Sequence, residues 1–184
     1  ALSGIATPVA NKNTIIKLIP AALLTDKTIV IHNVPYSSDV QYCAQILEKL
    51  GGTAEFSDNN TTLTLNCAKV TSYSIDAELS DKMKASVMFF GPLLVKFDKA
   101  QMPTPQGYKL GTRPLDAIIE NMIHMWAEYT HKDGTYYLDA PKGLKATEMW
   151  QWFPSVTGTE IAILVACKTP GKTIIRNAAC EPHT

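Results

Sequence analysis

Four short segments of the chain carry residue types that bind anions. They are residues 11–13 (Asn-Lys-Asn), the cation Lys84, residues 107–116 with Arg113, and residues 155–160 (Ser-Val-Thr-Gly-Thr-Glu). Cationic side chains bind phosphate or carboxylate directly, and the free amides at the start of a helix bind the same groups. These segments therefore indicate recognition of a phosphorylated or carboxylated ligand.

Each segment also has a simpler structural interpretation, which the sequence leaves open. Residues 11–13 could be an ordinary asparagine cap with a solvated lysine, and residues 155–160 a plain helix cap. Lys84 lies on an apolar segment, where a lysine more often extends its amine into solvent than binds a ligand. Residues 107–116 could be a capped surface loop, with Pro114 at the first helical position, where no amide is needed.

The composition indicates a folded domain without net charge. Hydrophobic residues make up 46% of the 184 residues, charged residues make up 18%, and 17 basic residues balance 17 acidic ones. This content can fill a core, and the charge balance predicts no general attraction to nucleic acid or a membrane surface. No apolar run reaches the ~18 residues of a membrane span. The start of the chain lacks the pattern of a signal peptide, which favours a cytoplasmic protein.

The four cysteines show neither a CxxC pair nor the spacing of a zinc site. This pattern argues against structural zinc. We expect no metal in the site and no cofactor. A free cysteine behaves as a small apolar residue, so we assign Cys43 and Cys167 to the core.

Helical and strand patterns alternate along the chain. Apolar residues at helical spacing predict helices over residues 14–24, 38–50, 81–97 and 114–127. The third helix is predicted to be interrupted at Gly91-Pro92, and residues 38–41 (Ser-Asp-Val-Gln) predict a capping box for the second. Residues 28–32 predict a strand, and two hairpins are predicted around residues 57–60 and Asp133-Gly134.

The order helix–strand–helix–hairpin occurs more than once. Residues 47–51 match residues 123–127 at an offset of 76, and residues 22–33 match residues 166–177 at an offset of 144. These offsets indicate one supersecondary unit used three times, with chance similarity as the alternative. We expect a single domain over residues 1–184, with units at approximately residues 12–70, 71–140 and 141–184, the third incomplete.

Taken together, these segments resemble the enolpyruvyl transferases, and within that family the branch that acts on nucleotide sugars. The resemblance covers nearly the whole chain and depends on five motifs in the family's order. They are G/N-K-N at residues 11–13, M-R-A-S…G-P-L at 83–93, G-x-R-P-x-D at 111–116, S-V-x-G-x-T/E at 155–160 and N-A-A-x-E-P at 177–182. The N-A-G-T-x-x-R motif of the shikimate-directed branch is absent from residues 79–86.

The resemblance implies an α/β (α+β) fold, an enolpyruvyl transferase-like domain of repeated βαβαββ units arranged as an inside-out α/β barrel. It implies transfer of the enolpyruvyl group of phosphoenolpyruvate to the 3-hydroxyl of a UDP-N-acetylglucosamine-type sugar, the first committed step of peptidoglycan synthesis. The family's active site lies between two domains, so we expect a second domain, with the general base, outside this chain, either in the same gene product or in a partner chain. The alternative is a non-catalytic relative that binds a nucleotide sugar or serves as an interaction module.

The resemblance also implies roles for individual residues. Lys12 would contact phosphoenolpyruvate, Asn13 the sugar nucleotide and Arg113 a phosphate. The implied catalytic set is Tyr108, Lys12, Lys84 and Arg113, and the implied substrate-binding set is Lys12, Asn13, Lys84, Arg113, Pro114, Leu115, Asp116, Ala117, Phe153, Pro154, Ser155 and Val156. Two positions depart from the family pattern, because Lys84 replaces the usual Arg and Tyr108 replaces a loop Cys or Asp. Both departures favour the alternative, since a lysine cannot bind a phosphate bidentately and a phenol is a poor substitute for a thiolate.

Overall fold

A computed structural model describes residues 3–104 and 115–184 as six α-helices and eight short strands. The helices are α1 (Lys12–Ala21), α2 (Ser38–Lys49), α3 (Ala77–Lys82), α4 (Phe90–Phe97), α5 (Asp116–His124) and α6 (Val156–Ala166), with 3₁₀ helices at Ala22–Leu24 and Lys84–Phe89. The strands are β1 (Ile29–His32), β2 (Thr53–Ser57), β3 (Thr62–Asn66), β4 (Lys99–Pro103), β5 (Glu128–Lys132), β6 (Thr135–Asp139), β7 (Glu148–Trp150) and β8 (Ile174–Arg176).

The first two sheets share one arrangement, and the third is smaller. The first two sheets have the strand orders β1-β3-β2 and β4-β6-β5, and every pairing in them is antiparallel. The third pairs β7 with β8 in parallel across α6, and Ser74 forms an equivalent parallel bridge with Gln101 of β4. Both predicted hairpins are confirmed, with Asp133 and Gly134 at the positive φ values of 50° and 70° that such a turn requires. The boundaries of the repeat units stay a prediction.

The core lies between the helices and the inner faces of these sheets. Phe89 and Phe90 are fully buried where the 3₁₀ helix Lys84–Phe89 meets α4. Helix α6 is apolar on nearly all sides, which is typical of a helix that packs in the centre of a domain. No helix in residues 3–104 and 115–184 is long and apolar enough to cross a membrane.

Two predicted helix boundaries are wrong. Helix α2 is capped by Ser37, whose backbone is extended, and no side chain makes a hydrogen bond at this cap. Ser38 is therefore the first helical residue and cannot be the cap of the predicted capping box. The helix predicted over residues 81–97 is broken at Met83, which has an extended backbone, and Gly91-Pro92 lie inside the first turn of α4. Proline is tolerated there because the first-turn amides have no partner within the helix.

The core assignment of the cysteines is half right. Cys43 is buried in the core, whereas Cys167 is exposed at the C-cap of α6. Cys67, which follows β3, is buried instead. The helix ends at residue 166, so Cys167 falls just beyond the buried face that the apolar pattern predicted.

Gly91 of α4 lies close against side chains of α6. A Cβ atom at this position would lie 2.6 Å from Ile161 Cγ2 and 2.9 Å from Val165 Cγ2. We expect Gly91→Ala to lower the free energy of unfolding by about 1–2 kcal/mol, because overpacking outweighs the better helix propensity of alanine. Urea denaturation measures the effect, and a stabilised variant would contradict it.

Candidate active site: a cavity at three helix N-termini

Helix α1 begins at an asparagine cap. The backbone N–H of Asn13 donates to Asn11 Oδ1 at 2.9 Å, and the Asn11 backbone is extended. This bond satisfies one of the free amides of the helix and fixes the path of the chain into its first turn. Asn13 is thereby held as the second residue of α1, with its side chain exposed.

Helix α6 begins in the same way and is joined to α5. Ser155 Oγ accepts a hydrogen bond from the backbone N–H of Gly158 at 3.1 Å. Ser155 is therefore a helix cap, as the simpler interpretation of this segment predicted. The buried side chain of Asn121 donates to the Gly158 carbonyl at 3.1 Å. This contact holds the start of α6 against α5.

Lys84 is placed by the segment that follows it. It opens the 3₁₀ helix Lys84–Phe89, in which the last four residues are buried. Ser86 Oγ lies 3.1 Å from Ser80 Oγ of α3, which fixes this short helix to its neighbour. The backbone at Lys84 is therefore anchored from both sides, although its side chain is only partly buried.

A cavity of about 750 Å³ opens where these segments meet. Its volume is within the range of small-molecule binding sites. Its wall comes from α1, the 3₁₀ helix, the starts of α5 and α6, and the C-terminal segment. The lining residues are Asn13, Ile16, Lys17, Lys84, Ala85, Val87, Met88, Leu115, Ala117, Ile118, Phe153, Pro154, Ser155, Val156, Thr157, Glu181 and His183.

The structure brings together most of the predicted site residues that it describes. Asn13, Lys84, Leu115, Ala117 and residues 153–156 all line this cavity, although they come from four separate segments of the sequence. This cavity is therefore the candidate site.

The other predicted residues are not in the cavity wall. Lys12 Nζ lies 2.5 Å from Asp39 Oδ2 at the exposed start of α2, and Asp116 is exposed at the start of α5. Tyr108, Arg113 and Pro114 lie outside the described residues.

Sequence reasoning missed three charged or titratable residues of the wall, Lys17, Glu181 and His183. Lys17 lies four residues after Asn13 on one helix face, so helical spacing could have found it. Glu181 and His183 lie beyond β8 in the C-terminal segment, and no local pattern predicts that this segment returns to the start of α1.

The electrostatics of the wall favour an anionic ligand. Asn13 is the second residue of α1, Ala117 the second of α5 and Val156 the first of α6, so three helix N-termini border one cavity. The N-terminal end of each helix carries a partial positive charge of about +0.5. Lys17 and Lys84 add ammonium groups to the wall, Glu181 adds a carboxylate, and Glu160 pairs with Lys17. Such a wall can bind phosphoryl or carboxyl groups.

None of the four cysteines lines this cavity. Burial raises the pKa of the Cys43 thiol strongly and that of Cys67 to about 11. Both thiols are therefore protonated at neutral pH and poorly nucleophilic. Residues 3–104 and 115–184 also contain no cluster of three or more His, Cys, Asp or Glu side chains that could hold a metal ion.

Residues 1–184 match the family of EPSP synthase (3-phosphoshikimate 1-carboxyvinyltransferase). The chain belongs to this family. Among curated relatives, the UDP-N-acetylglucosamine 1-carboxyvinyltransferase of Lawsonia intracellularis is 36% identical over 182 residues, covering 99% of this chain and 43% of that protein. The UDP-N-acetylglucosamine 1-carboxyvinyltransferase 1 of Carboxydothermus hydrogenoformans is 38% identical over 172 residues, covering 94% and 40%. The chain thus spans about two fifths of the length of these relatives.

Solved structures confirm the predicted enolpyruvyl transferase fold. The enolpyruvyl transferase NikO from Streptomyces tendae matches with a TM-score of 0.85 at 17% sequence identity, over 99% of this chain and 42% of that one. EPSP synthase from Acinetobacter baumannii matches with a TM-score of 0.74, also at 17% identity, over 98% and 42%. The family that the five sequence motifs indicated is confirmed by the match over residues 1–184. The two curated relatives bear nucleotide-sugar names, in agreement with the predicted branch.

Proposed function

We propose that this chain forms one half of the active site of an enolpyruvyl transferase that uses phosphoenolpyruvate and a UDP-N-acetylglucosamine-type sugar. The observation that carries the proposal is the cavity where α1, α5 and α6 begin, lined by Lys84 and residues 153–156. The names of the curated relatives support the choice of substrates. The product would enter peptidoglycan synthesis.

The positive wall suits the bond changes of this reaction. The sugar 3-hydroxyl oxygen bonds to carbon 2 of phosphoenolpyruvate, and the bond from that carbon to the phosphate oxygen breaks. Phosphate leaves, and the hydroxyl proton passes to a base. Helix N-termini and the ammonium group of Lys84 stabilise the charge of the leaving phosphate, because such preorganised groups need no rearrangement as charge develops.

The apolar part of the wall suits the sugar nucleotide. Leu115 and Ala117 at the start of α5 face the same cavity as Phe153 and Val156 before and within α6. Phe153 packs edge-on against Trp152, with ring centroids 4.3 Å apart. Aromatic and aliphatic side chains bind a planar base by stacking and burial, while Asn13 supplies polar contacts.

Lys12 would reach phosphoenolpyruvate only by leaving Asp39. Its amine now makes an ion pair on the surface, where such pairs contribute little to stability. A doubly charged phosphate attracts an ammonium group more strongly than a single carboxylate does. Lys12 can therefore exchange its ion pair with Asp39 for an ion pair with the substrate.

A second domain completes the proposed site. This chain spans about two fifths of its relatives' length, which supports a second domain. The family resemblance implies that the general base would lie in that domain. We therefore expect the 184-residue chain alone to release no phosphate from phosphoenolpyruvate plus UDP-N-acetylglucosamine. The longer gene product containing this chain should release phosphate and form the enolpyruvyl ether.

A coupled phosphate assay, with product mass measured in parallel, tests both expectations. Turnover by the 184-residue chain above background would contradict the half-site proposal. A longer gene product that binds UDP-N-acetylglucosamine without turnover would instead support the non-catalytic alternative, for which the replacement of the usual Arg by Lys84 is the motivating observation.

A further inference from the structure

Beside the cavity lies a buried ion pair between Glu160, the last residue of the motif at residues 155–160, and Lys17, which belongs to none of the five motifs. Lys17 Nζ of α1 is 2.7 Å from Glu160 Oε1 of α6. The side chains are only 15% and 6% exposed. Lys17 also lines the cavity wall. A buried carboxylate is strongly unfavourable unless it is paired, so Glu160 fixes where the amine of Lys17 can lie.

Glu160 is the centre of a small cluster. His183 Nε2 lies 3.9 Å from Glu160 Oε1, and Thr184 Oγ1 donates to the same oxygen at 3.4 Å. Glu160 Oε2 is buried and has no hydrogen-bond partner among the described residues. The carboxylate therefore ties α1 and the C-terminal segment to α6, the three elements that surround one side of the cavity.

We propose that Lys17 binds a phosphoryl group of the substrate and that Glu160 is the positioning residue that holds the Lys17 amine. This inference rests on the proposed function. An ammonium group has three donors. Glu160 Oε1 accepts one of them, so the others can reach ligand oxygens at the wall. The ligand chemistry is a phosphoryl oxyanion, either the monoester of phosphoenolpyruvate or the diphosphate of the sugar nucleotide.

One substitution distinguishes a positioning role of Glu160 from simple neutralisation of the Lys17 charge. If Glu160 only neutralised Lys17, then Glu160→Gln would release a full positive charge and strengthen anion binding. If Glu160 positions the amine, the same change lets the flexible lysine side chain leave the wall and weakens binding. We expect binding to weaken by about threefold or more, since holding a long side chain in one geometry has an entropic cost.

The direct test is calorimetric titration of the 184-residue chain with phosphoenolpyruvate and, separately, with UDP-N-acetylglucosamine. Lys17→Met alone leaves a buried carboxylate unpaired and destabilises the fold. The double variant Lys17→Met/Glu160→Gln removes both charges and should stay folded, as thermal unfolding will show. We expect it to bind at least one of the two ligands about tenfold more weakly, the loss typical of one charge-assisted hydrogen bond. The ligand that loses affinity identifies the phosphoryl group.

Lys17→Arg should bind within about threefold of the wild-type chain, because it keeps the charge. Lys96→Met is a matched control, since Lys96 is similarly buried, pairs with Asp26 at 2.9 Å and lies away from the cavity wall. It should leave both affinities unchanged.

The possible failures can be told apart. Unchanged affinity of the folded double variant for both ligands would overturn the inference and leave the proposed function standing. Stronger binding by Glu160→Gln would overturn the positioning role of Glu160. A wild-type chain that binds neither ligand would overturn the proposed half-site and this inference together.

Discussion

Replacing Lys84 by methionine in a protein that combines this chain with the proposed second domain is expected to lower kcat/KM for enolpyruvyl transfer by about 10- to 100-fold. That range corresponds to the loss of one hydrogen bond to a charged group. Lys84 lies in the cavity wall at the start of the 3₁₀ helix Lys84–Phe89, whose burial fixes its backbone. Methionine keeps the apolar stem and removes the ammonium group, and thermal unfolding shows that the variant is folded when its activity is measured.

Two further variants make this prediction specific. Lys84→Arg restores the residue usual in the family and should keep turnover within about threefold, because a guanidinium also binds phosphate. Lys82→Met is the matched control, since Lys82 pairs with Glu78 on the exposed face of α3 and is not in the cavity wall. Equal activity of Lys84→Met and Lys82→Met would place Lys84 outside the reaction.

Local patterns predicted the elements well, because apolar spacing and turn residues determine them over short stretches. The strand before Asn33 and the hairpin at Asp133-Gly134 are where the sequence places them. The errors arose where two signals competed. Proline and glycine at residues 91–92 indicated a break, yet a first turn accepts both, and the close packing of Gly91 against Ile161 requires the glycine.

The site was predicted through motifs and only in part through physics. Residues 153–156 and Ala117 were found because they follow family patterns, and the structure brings them to one cavity. Glu160 belongs to one of these motifs, but its pairing with Lys17 could not be found in this way, because the two residues lie 143 positions apart in the sequence. A single carboxylate within the apolar run of α6 indicates a buried partner, but the sequence does not say which cation supplies it.

Substitution of a fully buried phenylalanine is expected to have the largest effect on stability, and a partly exposed phenylalanine provides the comparison. Phe89 is fully buried, whereas Phe153 is 37% exposed and lines the cavity. We expect Phe89→Ala to lower the free energy of unfolding by about 3–5 kcal/mol, because it removes a large apolar side chain and leaves a cavity in a close-packed core.

Phe153→Ala is the matched control, with the same atoms removed from the wall of the cavity. We expect it to lower the free energy of unfolding by less than about 1.5 kcal/mol, because Phe153 is already 37% exposed to solvent. Its affinity for UDP-N-acetylglucosamine should fall by several-fold, as measured by calorimetry on the folded variant. Urea denaturation measures the free energy of unfolding of the Phe89→Ala and Phe153→Ala variants. A Phe153→Ala variant as unstable as Phe89→Ala would show that the start of α6 is held by Phe153 rather than by the Ser155 cap, and that the cavity wall at this position belongs to the core.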